Sequence, residues 1–413
     1  MSRIYVNGYE HGTTTTGVEF DTSSVSGGSA ATIETTIVRN SKNSIKFVQS
    51  TGLCFHGAKF YDSKPGTPPD LYYSFDFYIS GNNYSTARPF FQAEYGSNLR
   101  HWALYINDSF QISLVDRAGT SVATGSTLST NTWYRIEVWE DYAASSTDVT
   151  VRLDGVTNIS ATNVGDATGD FSLAIKYGAV DTFFGSQATM YFDNIRINNS
   201  LLSNDNSWCG EGYIRHAYPN GDAASASQTW DLVGAATSYE ALDDEGESTA
   251  NIETDYVERT NTLDVDHEVL MDDVATIGIS SSDTINSVGV GSYCGATSNT
   301  TGNRTATLYY RTVEGGAKTS SSTLNWSING WGANYDENAV NVVGVRAGNL
   351  NLYTYSLTGS DIDNLRLGAS AVTGSTQAIR LAYIWACIDY VPAAATTRVR
   401  DMVQSIGMIP FKR

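Results

Sequence analysis

The chain has 413 residues, enough for two ordinary domains with a core each. A formal charge of −19 argues against binding nucleic acid or an anionic membrane surface through a general field, and no apolar run approaches the roughly 18 residues that span a bilayer. Seven prolines, 37 glycines and only 17% charged residues, amid abundant Ser, Thr and Asn, fit an all-β chain with many turns.

The first residues, MSRIYVNGYEHGTTTT, contain no apolar h-region, so no secretory signal is expected and the chain is read as folding in a reducing cytoplasm. Cys54, Cys209, Cys294 and Cys387 form no C-x-x-C pair and are expected to be small buried side chains. Residues 4–9 read as an edge strand and 23–31 as a Gly/Ser-rich loop. Strands are expected over 33–38, 44–48 and 53–55, and KPGTPPD at 64–70 is a turn. Over 71–79 strict alternation sets Tyr73, Phe75, Phe77 and Ile79 on one face. Further strands at 90–95, 102–106 and 110–115 keep the spacing of about ten residues that marks a sandwich.

The organising stretch is 131–155, NTWYRIEVWEDYAASSTDVTVRLDG. Tyr134, Ile136 and Val138 alternate with Arg135 and Glu137; Val149, Val151 and Leu153 alternate with Thr150, Arg152 and Asp154. Period two in both arms predicts two half-buried antiparallel strands, with Gly155 supplying the next turn. Strands at 171–177 and 190–197 follow, the second reading MYFDNIRI. The order W-Y-x-I-E-V, polar loop, V-x-V-x-L-D-G, with F-D-N-I-R-I closing, resembles concanavalin-A-like or laminin-G-like jelly rolls. That resemblance covers about residues 2–199 and implies a sandwich that hosts lectins, glycosidases and structural modules alike.

The polar run LLSNDNSWC at 201–209 divides the chain into a jelly roll (1–203), a linker (204–209), a second β-sandwich (210–392) and a tail (393–413) with a short helix. Strands are expected at 285–293, 305–311, 323–328, 339–345 and 379–390. Pro219-Asn220-Gly221-Asp222, read as a turn, resembles with Trp230, the acidic 243–247, Thr254-Asp255-Tyr256-Val257 and Tyr309-Tyr310-Arg311-Thr312 a module of tailed-bacteriophage virion structural proteins. In the tail, Val399, Met402, Val403 and Ile406 fall at i, i+3, i+4 and i+7. Such a helix needs a packing partner, its own domain or a neighbouring subunit.

A jelly-roll hydrolase needs two facing acids. Glu137 and Glu140 stand three apart, so a strand points them to opposite faces. Asp264, Asp266 and Glu268 share a parity with His267 opposite, as on a solvated strand. The five histidines show no zinc spacing. No cofactor is expected; calcium, if any, would use Asp154, Asp166, Asp170 and Asp193 in or near turns. Tyr84, Tyr95, Trp102 and Trp139 are candidate glycan-platform or interface aromatics. The leading expectation is a non-enzymatic bacteriophage virion structural protein, a head decoration, head fibre or tail-associated component, located on the virion. Its expected partners are other virion proteins and identical copies, in the trimer that the resemblance suggests. The alternative is a glycan-binding adhesin reading host-surface glycans through the jelly roll, with a glycoside hydrolase third.

Overall fold

The computed structural model describes residues 3–10, 22–61, 64–84, 86–95, 99–143, 146–165, 171–181, 187–201, 207–224, 230–242, 255–259, 265–296, 305–320, 324–325, 352–354, 357–371 and 379–393. It is all-β, as expected, built from four antiparallel sheets in two sandwiches. The first sheet runs, strand beside strand, Val156–Ala161, Ser146–Leu153, Trp133–Ala143, Leu71–Asn82, Ala188–Asn199, Ser44–Gln49 and Ala30–Glu34. Arg3–Asn7 adds to Ala188–Asn199 as the expected edge strand. The second sheet runs Ser121–Thr127, Gln111–Val115, Leu99–Ile106, Arg88–Tyr95, Ala174–Ala179, Cys54–Lys59 and Thr22–Val25.

The alternation over Leu71–Asn82 explains how these sheets meet. Tyr73, Phe75, Phe77 and Ile79 are buried between them, Phe75 stacked on Phe91 at 4.5 Å and Phe77 on Phe90 at 4.6 Å. Each such ring contributes roughly 1.5–3 kcal/mol by leaving water. The opposite parity, Tyr72, Ser74, Asp76 and Tyr78, lies on the outer face of the first sheet. The hairpin Trp133–Ala143/Ser146–Leu153 pairs Val138 with Val151, both fully buried. Asp154 and Gly155, both at positive φ (48° and 82°), turn the chain into Val156–Ala161, the two-residue connection that follows the strand twist.

The second sandwich holds a third sheet, Asp231–Val233, Tyr256–Arg259, Ile379–Val391, Thr284–Ala296 and Leu352–Thr354, with Tyr213–Ala217 also on Ile379–Val391. A fourth runs Pro219–Asp222, Val265–Met271, Arg366–Ala371, Thr305–Arg311 and Thr319–Ser320, with Leu324–Asn325 also on Thr305–Arg311. Val288, Val290, Ile384 and Ile388 close on Val269, Leu308 and Leu367.

Several local expectations are corrected. The Gly/Ser-rich stretch 23–31 carries Thr22–Val25 and the start of Ala30–Glu34, since Ser and Thr serve well on exposed edges. Pro219–Asp222 is a strand with a bulge, not a free turn: Pro219 opens it, where no donor is needed, and the register shifts before Gly221. The described helix is Gly359–Ile362, capped by Thr358 and Asp361. Val399, Met402, Val403 and Ile406, with the strand expected at 339–345, lie outside the described residues.

Candidate functional site

Three groupings of polar side chains stand out. The first lies inside the jelly roll. Glu140 shares strand parity with Ile136 and Val138, so its carboxylate enters the core and is fully buried. Its Oε2 accepts from the Tyr73 hydroxyl at 2.8 Å and the Trp102 indole at 2.9 Å; its Oε1 lies 3.2 Å from His101 Nδ1. Burial alone would push this acid up, but the His101 charge and these three hydrogen bonds outweigh it and hold it below its ordinary value. His101 Nδ1 also meets Ser172 Oγ at 2.9 Å. Serine and carboxylate therefore share one ring nitrogen, whereas a nucleophile relay needs them on opposite nitrogens. A Cβ on Gly165 would stand 2.5 Å from the other nitrogen, so main chain closes that side. The arrangement is a core polar network.

The second grouping is the junction between the halves, on the outer face of the first sheet. Arg196 is fully buried; its guanidinium donates to Ser74 Oγ (3.2 Å) and to the Gly210 carbonyl (3.1 Å) and pairs with Asp389 of the second sandwich at 3.6 Å. Gly210 N–H donates to Glu137, and Ile214 N–H to Asn194 Oδ1. A Cβ on Gly212 would meet Arg196 and Asp389 at 2.4 and 2.6 Å, so glycine there lets the pair close. Burial pushes Asp76 up to about 6, against Arg39 and Arg196, and holds Asp193 well above its ordinary range. Glu10, pushed up by burial to about 7, accepts from the Lys42 and Asn43 amides and faces Arg215 at 3.7 Å.

The third is the outer face of the second sheet. Core-facing residues alternate with a polar set whose cross-strand register brings Gly57, Lys176, Gln92 and Ala103 into one row. Lys59, Ala174 and Glu94 form the next row. Glu94 Oε1 lies 2.7 Å from Lys176 Nζ and accepts from Gln92 at 2.8 Å. Arg100 donates to the Tyr105 hydroxyl, which burial shifts upward. Gly57 and Ala103, which carry at most a methyl, are buried beneath these polar ends, and Ala174 is half-buried. Such a face can present hydrogen-bond donors and acceptors in fixed positions.

The aromatics named from the sequence separate. Tyr84 and Trp102 are corrected: both are sealed in the core, Tyr84 bonded to Gln49 and Trp102 to Glu140, so neither reaches a surface platform. Tyr95 is half-buried, with the Arg117 guanidinium 4.1 Å from its ring centre. Trp139 lies parallel to Tyr72 at 6.2 Å and meets Trp208 edge-on at 6.4 Å. Arg152 covers Trp208 at 3.7 Å. Trp139 thus packs against the segment leading into the second sandwich. Of the calcium candidates, Asp154 Oδ1 accepts the Arg135 amide at the turn. Asp193 is buried in a strand and engaged by Ser41 and two backbone amides, so it corrects the expectation of a loop ligand. Asp166 and Asp170 lie outside the described residues. Among the described residues no group of three or more His, Cys, Asp or Glu is placed to hold a metal. The face on the second sheet and the Glu140 network are what sequence reasoning missed.

No family model matches the chain, and no curated protein matches it. Similar solved structures include the endo-β-1,4-glucuronan lyase of the fungus Trichoderma reesei: 12% identity, TM-score 0.37, covering 48% of this chain and 95% of that one. The cellulose-induced protein Cip1 is 15% identical with TM-score 0.38, covering 50% and 99%. A carbohydrate esterase from the Shiga toxin-encoding bacteriophage phi24B is 11% identical with TM-score 0.34, covering 50% and 99%.

Proposed function

We propose that the chain is a non-catalytic glycan-binding protein whose sugar-contacting surface is the outer face of the second sheet. One observation carries this reading. Gln92, Arg100, Tyr105 and Lys176, each half-buried, bring amide, guanidinium, hydroxyl and ammonium together on one face, held in place by the buried Glu94 carboxylate. Sugars offer dense hydroxyls that donate and accept, and a rigid sheet holding both kinds of partner pre-organises the contact at little entropic cost. A glycan array probed with the whole chain tests it. Binding to at least one glycan class is expected, weakened about tenfold by Gln92→Ala with unchanged melting. Silence across the array would sink the reading, and cleavage of a bound glycan would sink its non-catalytic half.

A second reading keeps the chain as an exposed bacteriophage virion component that displays this face. The observation favouring it is the buried Arg196–Asp389 pair, which ties a presenting sandwich to a second one able to serve as its mount. Light scattering should then show an oligomer, and labelling should place the protein on particles; a clean monomer at high concentration would count against this reading.

A further inference from the structure

The signs of charge on the proposed glycan face differ from those of the molecule. Over the whole chain acids exceed bases by 19. On this face the balance reverses. Lys59 and Lys176 flank Glu94 across neighbouring strands, and Arg100 lies against the Tyr105 hydroxyl. Arg88 and Asp181 are the other charges acting on that hydroxyl. Three cations, Lys59, Arg100 and Lys176, thus share this face with Glu94 among the described residues, with Arg88 and Asp181 as an opposite pair acting on Tyr105, in a protein where the general ratio is 25 to 44.

The apolar surface of the face points the same way. Phe55 is 8% exposed and lies under the Lys176 ammonium, 4.9 Å from its ring centre, so it offers no open ring. Tyr105 is half-buried and engaged by Arg100. A neutral polysaccharide bound on a flat sheet gains much of its affinity by laying sugar faces on open aromatic rings. This face instead offers charge-assisted donors, which are about twice as strong when their acceptor is ionised. A −19 molecule also repels polyanions at long range, so cations gathered at one place make that place the point of approach.

We infer that the ligand of this face is a carboxylated polysaccharide, a chain of uronic acid units, whose carboxylates meet Lys59, Arg100 and Lys176 while Gln92 and Tyr105 address ring hydroxyls. This rests on the reading of the second sheet as the glycan-contacting surface.

Affinity electrophoresis of the full chain tests it, in native gels cast with polygalacturonate, alginate, dextran sulfate, or the neutral glucans laminarin and hydroxyethyl cellulose. The polyuronates should retard the protein and the neutral glucans should not. Lys59→Gln should weaken that retardation by about tenfold with unchanged melting. Lys176→Gln should weaken it likewise while lowering the melting temperature, because it removes the ammonium 2.7 Å from the buried Glu94. Lys64→Gln, on the hairpin side beside Tyr142, should leave retardation intact. Retardation should also fall steeply between low and physiological salt. Retardation by neutral glucans alone would overturn this inference while leaving glycan binding standing; no retardation by any glycan would overturn both. Equal retardation by dextran sulfate, or polyuronate binding indifferent to Lys59 and Lys176, would refute recognition of carboxylates at this face.

Discussion

Replacing Arg196 by methionine probes the joint between the sandwiches most directly. The guanidinium has no solvent exposure, and its partners are a serine hydroxyl, the Gly210 carbonyl and Asp389, itself 1% exposed. Asp389 keeps a long contact to Asn286 Nδ2 at 3.4 Å, but loses its facing cation. At 3.6 Å and an effective dielectric near 20, the lost attraction is about 4–5 kcal/mol, and truncating one member of a buried pair costs about 3–5 kcal/mol because the other charge is stranded. Arg196→Met should therefore lower the unfolding free energy by about 3–5 kcal/mol, and Asp389→Asn in the same chain should recover at least about 2 kcal/mol of it. Urea titration followed by tryptophan fluorescence reads both, with m-values checking that the same surface unfolds. A loss under about 1 kcal/mol, or a double variant no more stable than Arg196→Met, would show that the pair does not organise the joint.

Two further predictions concern pH, with opposite signs. Glu10 is raised by burial from 4.5 to about 7, so the folded state favours the protonated acid. Its stabilisation is complete below pH 4.5 and lost as pH rises through 7, a change of about 3 kcal/mol. Glu10→Gln should flatten the fall in urea midpoint between pH 5 and 8; an unchanged slope would mean that the carboxyl is already ionised in the fold. His267 has no solvent exposure: its ring is buried against Trp230, neither nitrogen has a hydrogen-bond partner among the described residues, and burial lowers it to about 4. The neutral ring is the folded form, so its stabilisation is present above pH 6.5 and lost as pH falls through 4. His267→Phe should be within about 1 kcal/mol of the parent at pH 8 and better by about 2 kcal/mol at pH 5; equal acid sensitivity in both proteins would refute this.

What the sequence disclosed, and what it hid, follows parity and range. Leu71–Asn82 and the two arms of the hairpin were legible because apolar residues at every second position have one arrangement that buries them. Ser121–Thr127 and Val156–Ala161 were not, since they lie at the margins of their sheets with mostly exposed side chains and carry little periodic signal. Glu137 and Glu140 do point to opposite faces. The same parity, carried one step further, puts Glu140 beside Ile136 and Val138 in the core and Trp102 beside Leu104 and Ile106. A charged residue in a core register was the available signal for the His101–Glu140 network. The face on the second sheet had no such signal, because it exists only after Ala174–Ala179 inserts between Arg88–Tyr95 and Cys54–Lys59. That insertion joins residues 80 to 125 positions apart, from Ala174↔Glu94 to Ala179↔Cys54, and nothing in local pattern specifies it.

The same topology decides which surface of the jelly roll is left to act. On the first sheet, Ser74, Glu137, Asn194 and Arg196 are all turned toward the segment from Gly210 onward or toward Asp389, and Trp139 and Tyr72 hold Trp208. Trp139, which reads from sequence as either a glycan platform or an interface aromatic, finds its partners among residues of this chain. The ligand-facing role then passes to the sheet whose outer residues are small in the middle and polar at their ends. Charge reinforces the division: the junction buries Glu10, Asp76, Asp193 and Asp389 together with arginines such as Arg196 and Arg215, so these charges are engaged within the chain. The cations of the other sheet, Lys59, Arg100 and Lys176, are half-buried at its outer face, where a polyanion can approach within a Debye length of about 8 Å at physiological salt.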